Sequence, residues 1–429
     1  MKRIFFYFAI LIFVFCVSTI LTGYVAEGGK KLGSVITSVF WELINVPDNL
    51  REIYRENNTL PDYLKIADEP AINHLKTDVF ALHTFQRTNK VILINLRNNI
   101  IIHEWNIGNV KKAAGTRYYA IMLSHRNIIV YTSEDQYLAR LDSDSKVIWK
   151  NVNQFQFHHS INFDADSNIW ICGRDIKYLY DYEYIRNPLD TGYFNEDYSH
   201  LFIDEYLLCF DSKNGSLRYK KSLYDLFTEN NINPFLSSYG YSGLTGDIFH
   251  LNDIEPIIKT TKYFTKGDLL ISFRNQNLVI LYSPLSGKII QSWSKGFHRQ
   301  HDVDLYNDST LSVFNNNSPN DETDLILYKS RNKNTGHINS NIILFDYNGK
   351  RIPTPGMDSI FEENNIYSME EGLVEYLPDG KIFVEEQSKF NLWIIQDNKV
   401  IYRGYFNAFA GKGYKEIPNW TKVYENINF

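Results

Sequence analysis

Three histidines in this chain open runs of the same kind, in which apolar and polar side chains alternate. The runs are His159-Ser160-Ile161-Asn162-Phe163, His250-Leu251-Asn252-Asp253-Ile254 and His301-Asp302-Val303-Asp304-Leu305. Alternation sends successive side chains to opposite faces, so each run reads as a strand with its histidine at the start. The strand that follows ends on Arg174 in the first case, on Arg274 in the second and on Asn315 in the third. A neutral imidazole can act as a nucleophile or a base near physiological pH. A guanidinium presents a planar fork of donors to sulfate-like or phosphate-like oxygens. Brought together, these groups make a site for a small, oxygen-rich anion. Three imidazoles can also bind zinc. The adjacent arginines repel a cation, so no metal is expected.

The elements that must position these groups form a repeat. Each histidine strand and its successor are followed by a second half: Tyr206–Asp211 with Gly215, Leu278–Tyr282 with Gly287, and Asn341–Asp346 with Gly349. Three further units fit without the histidine: Asp78 to Ile107, Tyr118 to Lys150, and Gly372 to Tyr405 with its Pro378-Asp379-Gly380 turn. Four short strands per unit, punctuated by Asp and Gly turns, mark a propeller blade. The expected fold is therefore an all-β, six-bladed β-propeller over residues 75–429. First strands line the channel of such a ring, and second strands run back. His159, His250 and His301 then share one mouth with Arg174 and Arg274, and His158 competes with His159 for its place. His83, His125, His298 and His337 fit the pattern poorly and are read as structural or surface residues. Glu370-Glu371 falls where a further counterpart would lie, and either carboxylate could orient an imidazole or simply be solvated. Insertions at 175–200, 230–246 and 315–336 attach near the histidine blades, with a short helix expected at Ser222 to Glu229; loops of that length tend to be lids or binding walls.

Composition agrees with strands. The chain has 429 residues and is 15% aromatic, with 30 Tyr and 28 Phe, a content that favours strands over helices. A net charge of -6 with scattered Lys and Arg gives no electrostatic case for nucleic acid. Met1-Lys2-Arg3 precedes an uncharged stretch from Ile4 to Leu21, long enough to cross a bilayer core. Poor cleavage options beyond it favour an uncleaved anchor over a removed signal peptide, so 1–27 is read as a membrane anchor or signal segment. Residues 28–74 form a linker, whose Val35, Ile36, Val39, Phe40, Leu43 and Ile44 sit at helical spacing. That helix is a tether, lies on headgroups, or pairs with a second copy as a homodimer would. Either way the propeller is placed outside the cytoplasm. Cys172 and Cys209 fall on successive strands, where a bridge and two buried free thiols are both open.

The run from Gly246 through Ile254, then Gly267-Asp268-Leu269-Leu270-Ile271-Ser272-Phe273-Arg274, then Arg299-Gln300-His301-Asp302, resembles the exported bacterial arylsulfotransferases. His158-His159-Ser160-Ile161 and His103-Glu104-Trp105 are similar too. Those enzymes are six-bladed propellers that use no nucleotide sulfate donor. The resemblance spans roughly residues 75 to 405 and implies ping-pong transfer of a sulfuryl group from an aryl sulfate ester to a phenolic acceptor, with no cofactor. It places the transiently sulfated residue at His301. His250 and Asn252 would hold sulfuryl oxygens or relay a proton, Arg274 would stabilise charge, and His159 would complete the cluster. Ser160 departs from the family, which usually has an acidic residue after the first histidine. A non-catalytic, membrane-tethered propeller that binds an anionic ligand or a partner protein is the alternative. A quinone-dependent dehydrogenase fits less well, since those propellers carry more blades and tryptophan docking motifs.

Overall fold

The computed structural model describes residues 63–65, 71–85, 89–108, 118–132, 136–178, 201–232, 247–319, 338–407 and 414–427. Within them, runs of apolar residues bounded by Asp, Asn and Gly turns pair into seven sheets, six of which form the antiparallel blades of a propeller. The third blade runs Gln156–Phe163, Asn168–Tyr178, Leu201–Asp211, Leu217–Ser222, and the fourth Leu251–Pro256, Leu269–Phe273, Leu278–Ser283, Lys288–Trp293. The fifth comprises His301–Asn307, Thr310–Asn315, Asn341–Asp346 and Arg351–Ile352. Second strands such as Leu269–Phe273 are buried at every residue, because a neighbouring blade covers each face. Outer strands such as Lys288–Trp293 alternate exposed and partly buried, as an edge with one covered face must.

The ring is closed at both edges of its seam. Lys422–Tyr424 pairs with Phe80–Phe85 and becomes the innermost strand of the first blade. Ile72–Asn73 pairs with Lys399–Gly404 and becomes a fifth, outermost strand of the sixth blade. Sequence reading placed residues 72 and 73 in the linker. Two residues show no periodicity, so only the pairing partner reveals them as a strand.

Apolar side chains fill the wedges between blades. Val91, Trp105, Tyr118 and Val130 share one cluster, and Phe314, Val384 and Trp393 share another. Helix α1, Leu223–Glu229, starts where expected, with the Ser222 Oγ accepting the Asp225 N–H at 3.3 Å. Its Phe227 stacks on Phe249 with ring centroids 5.0 Å apart, which anchors the residue before His250. Helix α2, Pro355–Glu363, was not anticipated, although a proline at the first helical turn is a start signal. It buries Met357, Ile360 and Phe361 against the fifth and sixth blades. Cys172 and Cys209 are buried free thiols. Among the described residues no helix is long and apolar enough to cross a membrane. The anchor expected at 1–27 and the helix expected at 33–56 lie outside the described residues.

Candidate active site

Each histidine strand carries a bulge at its channel-mouth end. The breaks in pairing fall between His158 and Ile161, between Leu251 and Asp253, and between His301 and Val303. His159, His250 and Asp302 have φ of 56°, 51° and 52°, as Glu371 and Trp420 do at 54° in the next two blades. A non-glycine residue held there costs on the order of 1 kcal/mol and persists only where its surroundings hold it. Bulges free backbone groups, and side chains of other blades take them. Glu205 Oε2 accepts the Leu251 N–H at 2.6 Å, and Asp253 Oδ2 accepts that of Val303 at 2.9 Å. Asp302 Oδ2 accepts the Val374 N–H at 2.6 Å, and Glu385 accepts those of Trp420 and Thr421. Ser160 Oγ accepts the Ile254 N–H at 3.1 Å, and the Tyr131 hydroxyl donates to the His159 carbonyl. Ser160 and Asp302 are thus struts between blades.

These bulges change the register that the sequence implied. His159 is the fourth residue of its strand, His250 lies just before its strand, and only His301 is a first residue. The three rings nevertheless converge, because a kinked backbone re-aims each side chain. One ring nitrogen from each lies within 4.8 Å of the others. His159 Nε2 is 3.2 Å from His250 Nε2, and Arg274 Nη1 is 3.1 Å from the same atom.

Hydrogen bonds fix two of the tautomers. Asp247 Oδ2 lies 2.6 Å from His250 Nδ1, so that nitrogen carries the proton and Nε2 faces the cluster. Burial alone would raise Asp247, but the His250 hydrogen bond and the nearby imidazoles and Arg274 bring it below the usual carboxylate value. Asn316 Oδ1 lies 2.8 Å from His301 Nδ1, and the Arg299 carbonyl lies 3.1 Å away. The Asn316 amide cannot be turned round, because its Nδ2 donates to the carbonyls of Ser368 and Glu371. His301 therefore holds its proton on Nδ1 and aims a bare Nε2, buried and without a hydrogen-bond partner, at the cluster. Burial, then the Arg274 charge, pushes His301 down to about 3. Burial and neighbouring imidazoles likewise hold His159 well below its usual value.

Other expected residues lie to one side. His158 sits 3.3 Å from Glu205 Oε1 with its ring centroid 6.4 Å from that of His250, and burial then Arg174 depress its pKa. Arg174 donates from Nε to Gln156 Oε1 at 3.2 Å. The Asn252 amide donates to the Gln300 carbonyl at 2.7 Å and leaves a buried Oδ1 without a partner. Glu370 is 3.6 Å from Arg274 Nη2, whereas Glu371 contributes its carbonyl to Asn316. His83 stacks on Phe406 in the core, and His337 lies outside the described residues. Sequence reading missed Asp247, Asn316 and Tyr131 as members of this site. Asp247 at three residues before His250 was the one local signal.

The model of the family described as arylsulfotransferase (ASST) matches residues 119–400. The chain belongs to the arylsulfotransferase family. No curated protein matches it. Among solved structures it is similar to a Bacteroides caccae protein of unknown function, at 12% identity and a TM-score of 0.45, covering 79% of this chain and 97% of that one. A streptogramin B lyase is similar at 13% identity and a TM-score of 0.42, covering 85% and 96%. The virginiamycin B lyase of Staphylococcus aureus matches at 11% identity and a TM-score of 0.41, covering 81% and 88%.

In an arylsulfotransferase, a bare and neutral imidazole nitrogen beside a guanidinium can attack sulfur while the cation holds sulfuryl oxygens. Asn316→Ala removes the nearer of the two acceptors that hold the His301 Nδ1–H and leaves the Arg299 carbonyl. Sulfuryl transfer should slow by roughly 10²-fold as the His301 ring loses its fixed orientation. A ring ¹⁵N spectrum should show the Nδ1–H tautomer of His301 in the wild type and, held by the Arg299 carbonyl, in the variant; an Nε2–H tautomer in the wild type would refute the assignment. In the wild type, His301 should stay neutral from pH 8 to pH 5, where an unperturbed imidazole, with a pKa of about 6.5, is mostly charged. The unfolded chain takes that proton near pH 6.5 and the folded one near 3, so this residue withdraws stability as pH falls between them. A ¹⁵N titration midpoint above pH 5 would overturn this.

Proposed function

We propose that the chain is an aryl-sulfate sulfotransferase working by a ping-pong mechanism through a sulfated His301. The observation that carries this reading is the unpartnered Nε2 of His301, facing His159, His250 and Arg274. In the first half, Nε2 attacks sulfur, the S–Nε2 bond forms and the aryl S–O bond breaks. The phenolate leaves with that electron pair and takes its proton from solvent. Arg274 holds charge on the sulfuryl oxygens. In the second half a phenolic acceptor attacks sulfur, its proton passes through the His159 and His250 pair to solvent, and the S–Nε2 bond breaks to restore His301. Asp247 stabilises the His250 imidazolium whenever it forms. Transfer of this kind relies on positioning and on cationic contacts to oxygen. Arg174 and His158 line the acceptor side or brace it through Glu205.

The donor is a small-molecule aryl sulfate, and the chain is anchored by one N-terminal helix with the propeller outside the cytoplasm, singly or as a homodimer. The deciding experiment is mass spectrometry of the His301 peptide after incubation with a chromogenic aryl sulfate, quenched at alkaline pH. One added sulfuryl group on that peptide, removed by phenol, is the expected result. Release of aryl alcohol with the group on another residue would refute the role of His301. Affinity for the ester with neither label nor release would instead support the non-catalytic binding propeller.

A further inference from the structure

We propose that the three imidazoles of His159, His250 and His301 form a binding site for a divalent transition metal, with zinc as the reference ion. The occupied site would be an inhibited state of the enzyme. The inhibitory part rests on sulfuryl transfer; the metal site does not. Two imidazole Nε2 atoms 3.2 Å apart cannot both present bare lone pairs to each other, so something positive lies between them. In the free site a single proton on His159 serves. A metal ion would serve as well, with that proton moved to His159 Nδ1, which has no partner in this structure.

Geometry favours the metal further. Nitrogens about 2.1 Å from a tetrahedral zinc lie about 3.4 Å apart, close to the separation found between His159 and His250. The third ligand atom is already within 4.8 Å, so a closing movement of about 1.4 Å or less completes a three-histidine set. Metal-bound histidines rely on acceptors that hold the far ring nitrogen. Asp247 does this for His250 and Asn316 for His301, at 2.6 and 2.8 Å. Imidazole is a preferred donor for zinc.

The opposing element is Arg274, whose Nη1 points at His250 Nε2. It contacts only one of the three rings by hydrogen bond, and Glu370, exposed and 3.6 Å from Nη2, offers it an alternative partner. Arg274 is therefore a selectivity element: it favours an oxyanion and disfavours the metal. Removing it should impair transfer while improving metal binding, an opposition that a purely anionic site would not show.

The test is equilibrium dialysis of the full chain against zinc chloride without aryl sulfate, with cobalt(II) absorption as a second probe. One zinc per chain is expected, with a tetrahedral cobalt spectrum. His250→Ala and His159→Gln should each weaken binding at least tenfold, and Arg274→Ala should tighten it about tenfold. Zinc should inhibit transfer competitively with the aryl sulfate, reversibly on chelation. Failure to bind one zinc, binding indifferent to both histidine variants, or weaker binding by Arg274→Ala would overturn the site. A chain that binds zinc without turnover sinks sulfuryl transfer alone, whereas turnover without zinc binding sinks this inference alone.

Discussion

Replacing His301 by alanine should reduce sulfuryl transfer to phenol on the order of 10⁴-fold or more, because a ping-pong route has no detour around its nucleophile. His159 cannot substitute: its Nε2 is committed to His250. His250 cannot either, since its Nε2 meets both His159 and Arg274. The loss should appear in kcat, with donor affinity little changed, because Arg274 and the remaining imidazoles still hold the ester. His301 lies at the head of its strand, and its backbone is held by pairing with Phe314 rather than by its ring. The variant should therefore remain folded at a cost of about 2 kcal/mol, for the lost packing and the unpaired Asn316 oxygen. His301→Gln, which keeps an amide near Asn316, should be equally inactive and more stable. Turnover of a chromogenic aryl sulfate with added phenol, beside near-ultraviolet circular dichroism, checks both statements. Residual transfer above a few per cent in either variant would remove His301 from the nucleophile's role.

The apolar runs made the six blades legible, because most of their strands, such as Gln156–Phe163 and Leu278–Ser283, extend over five or more residues. Convergence of His159, His250 and His301 was legible for the same reason: the repeat itself implied that equivalent strands share a channel. Their register was not. A bulge adds a residue that leaves hydrophobic alternation nearly intact, so Leu251 could be read as the second residue of a strand that His250 does not belong to. Closure was hidden as well, since Ile72–Asn73 and Lys422–Tyr424 are too short to show a period. The groups that hold the imidazoles were the least accessible. Asn316 reaches His301 from the far end of the next strand, and its own orientation is set by carbonyls at Ser368 and Glu371, more than fifty positions away. Composition and spacing carry no trace of such contacts; only the folded chain brings them together.

Lys422→Met should be the most destabilising single change in the hub. Lys422 sits on the strand that closes the ring, and its Nζ donates to Glu375 Oε1 at 2.7 Å and to Asn162 Oδ1 at 3.0 Å. Around it the innermost strands bring Asp253, Glu255, Asp302, Asp304 and Glu375 together. Burial pushes Asp253 up to about 6 against the hydrogen bond from Ser160 and the charge of Lys422, and burial, then repulsion among the carboxylates, pushes Glu255, Asp302 and Asp304 well above the usual range. Burial also opposes the charge on Lys422, yet Glu375 and its neighbours prevail and raise its pKa. Removing this cation leaves buried carboxylates facing each other, a situation that costs about 3–5 kcal/mol when one partner of a buried pair is lost. The sign with pH follows from linkage. A carboxylate whose folded pKa exceeds its unfolded value gains protons first in the folded state, so its contribution improves as pH falls through the folded value. The penalty of Lys422→Met should thus be full at pH 8 and shrink towards pH 5, as Asp253 and its neighbours take up protons. Charging of the unfolded histidines over the same range affects wild type and variant alike and cancels in the difference. Adding Glu375→Gln to Lys422→Met should recover part of the loss at pH 8 and little at pH 5, as measured by urea midpoints. A penalty below about 1 kcal/mol at pH 8 would place it with exposed ion pairs, and an equal penalty at both pH values would mean that the hub carboxylates do not depend on Lys422 for their charge.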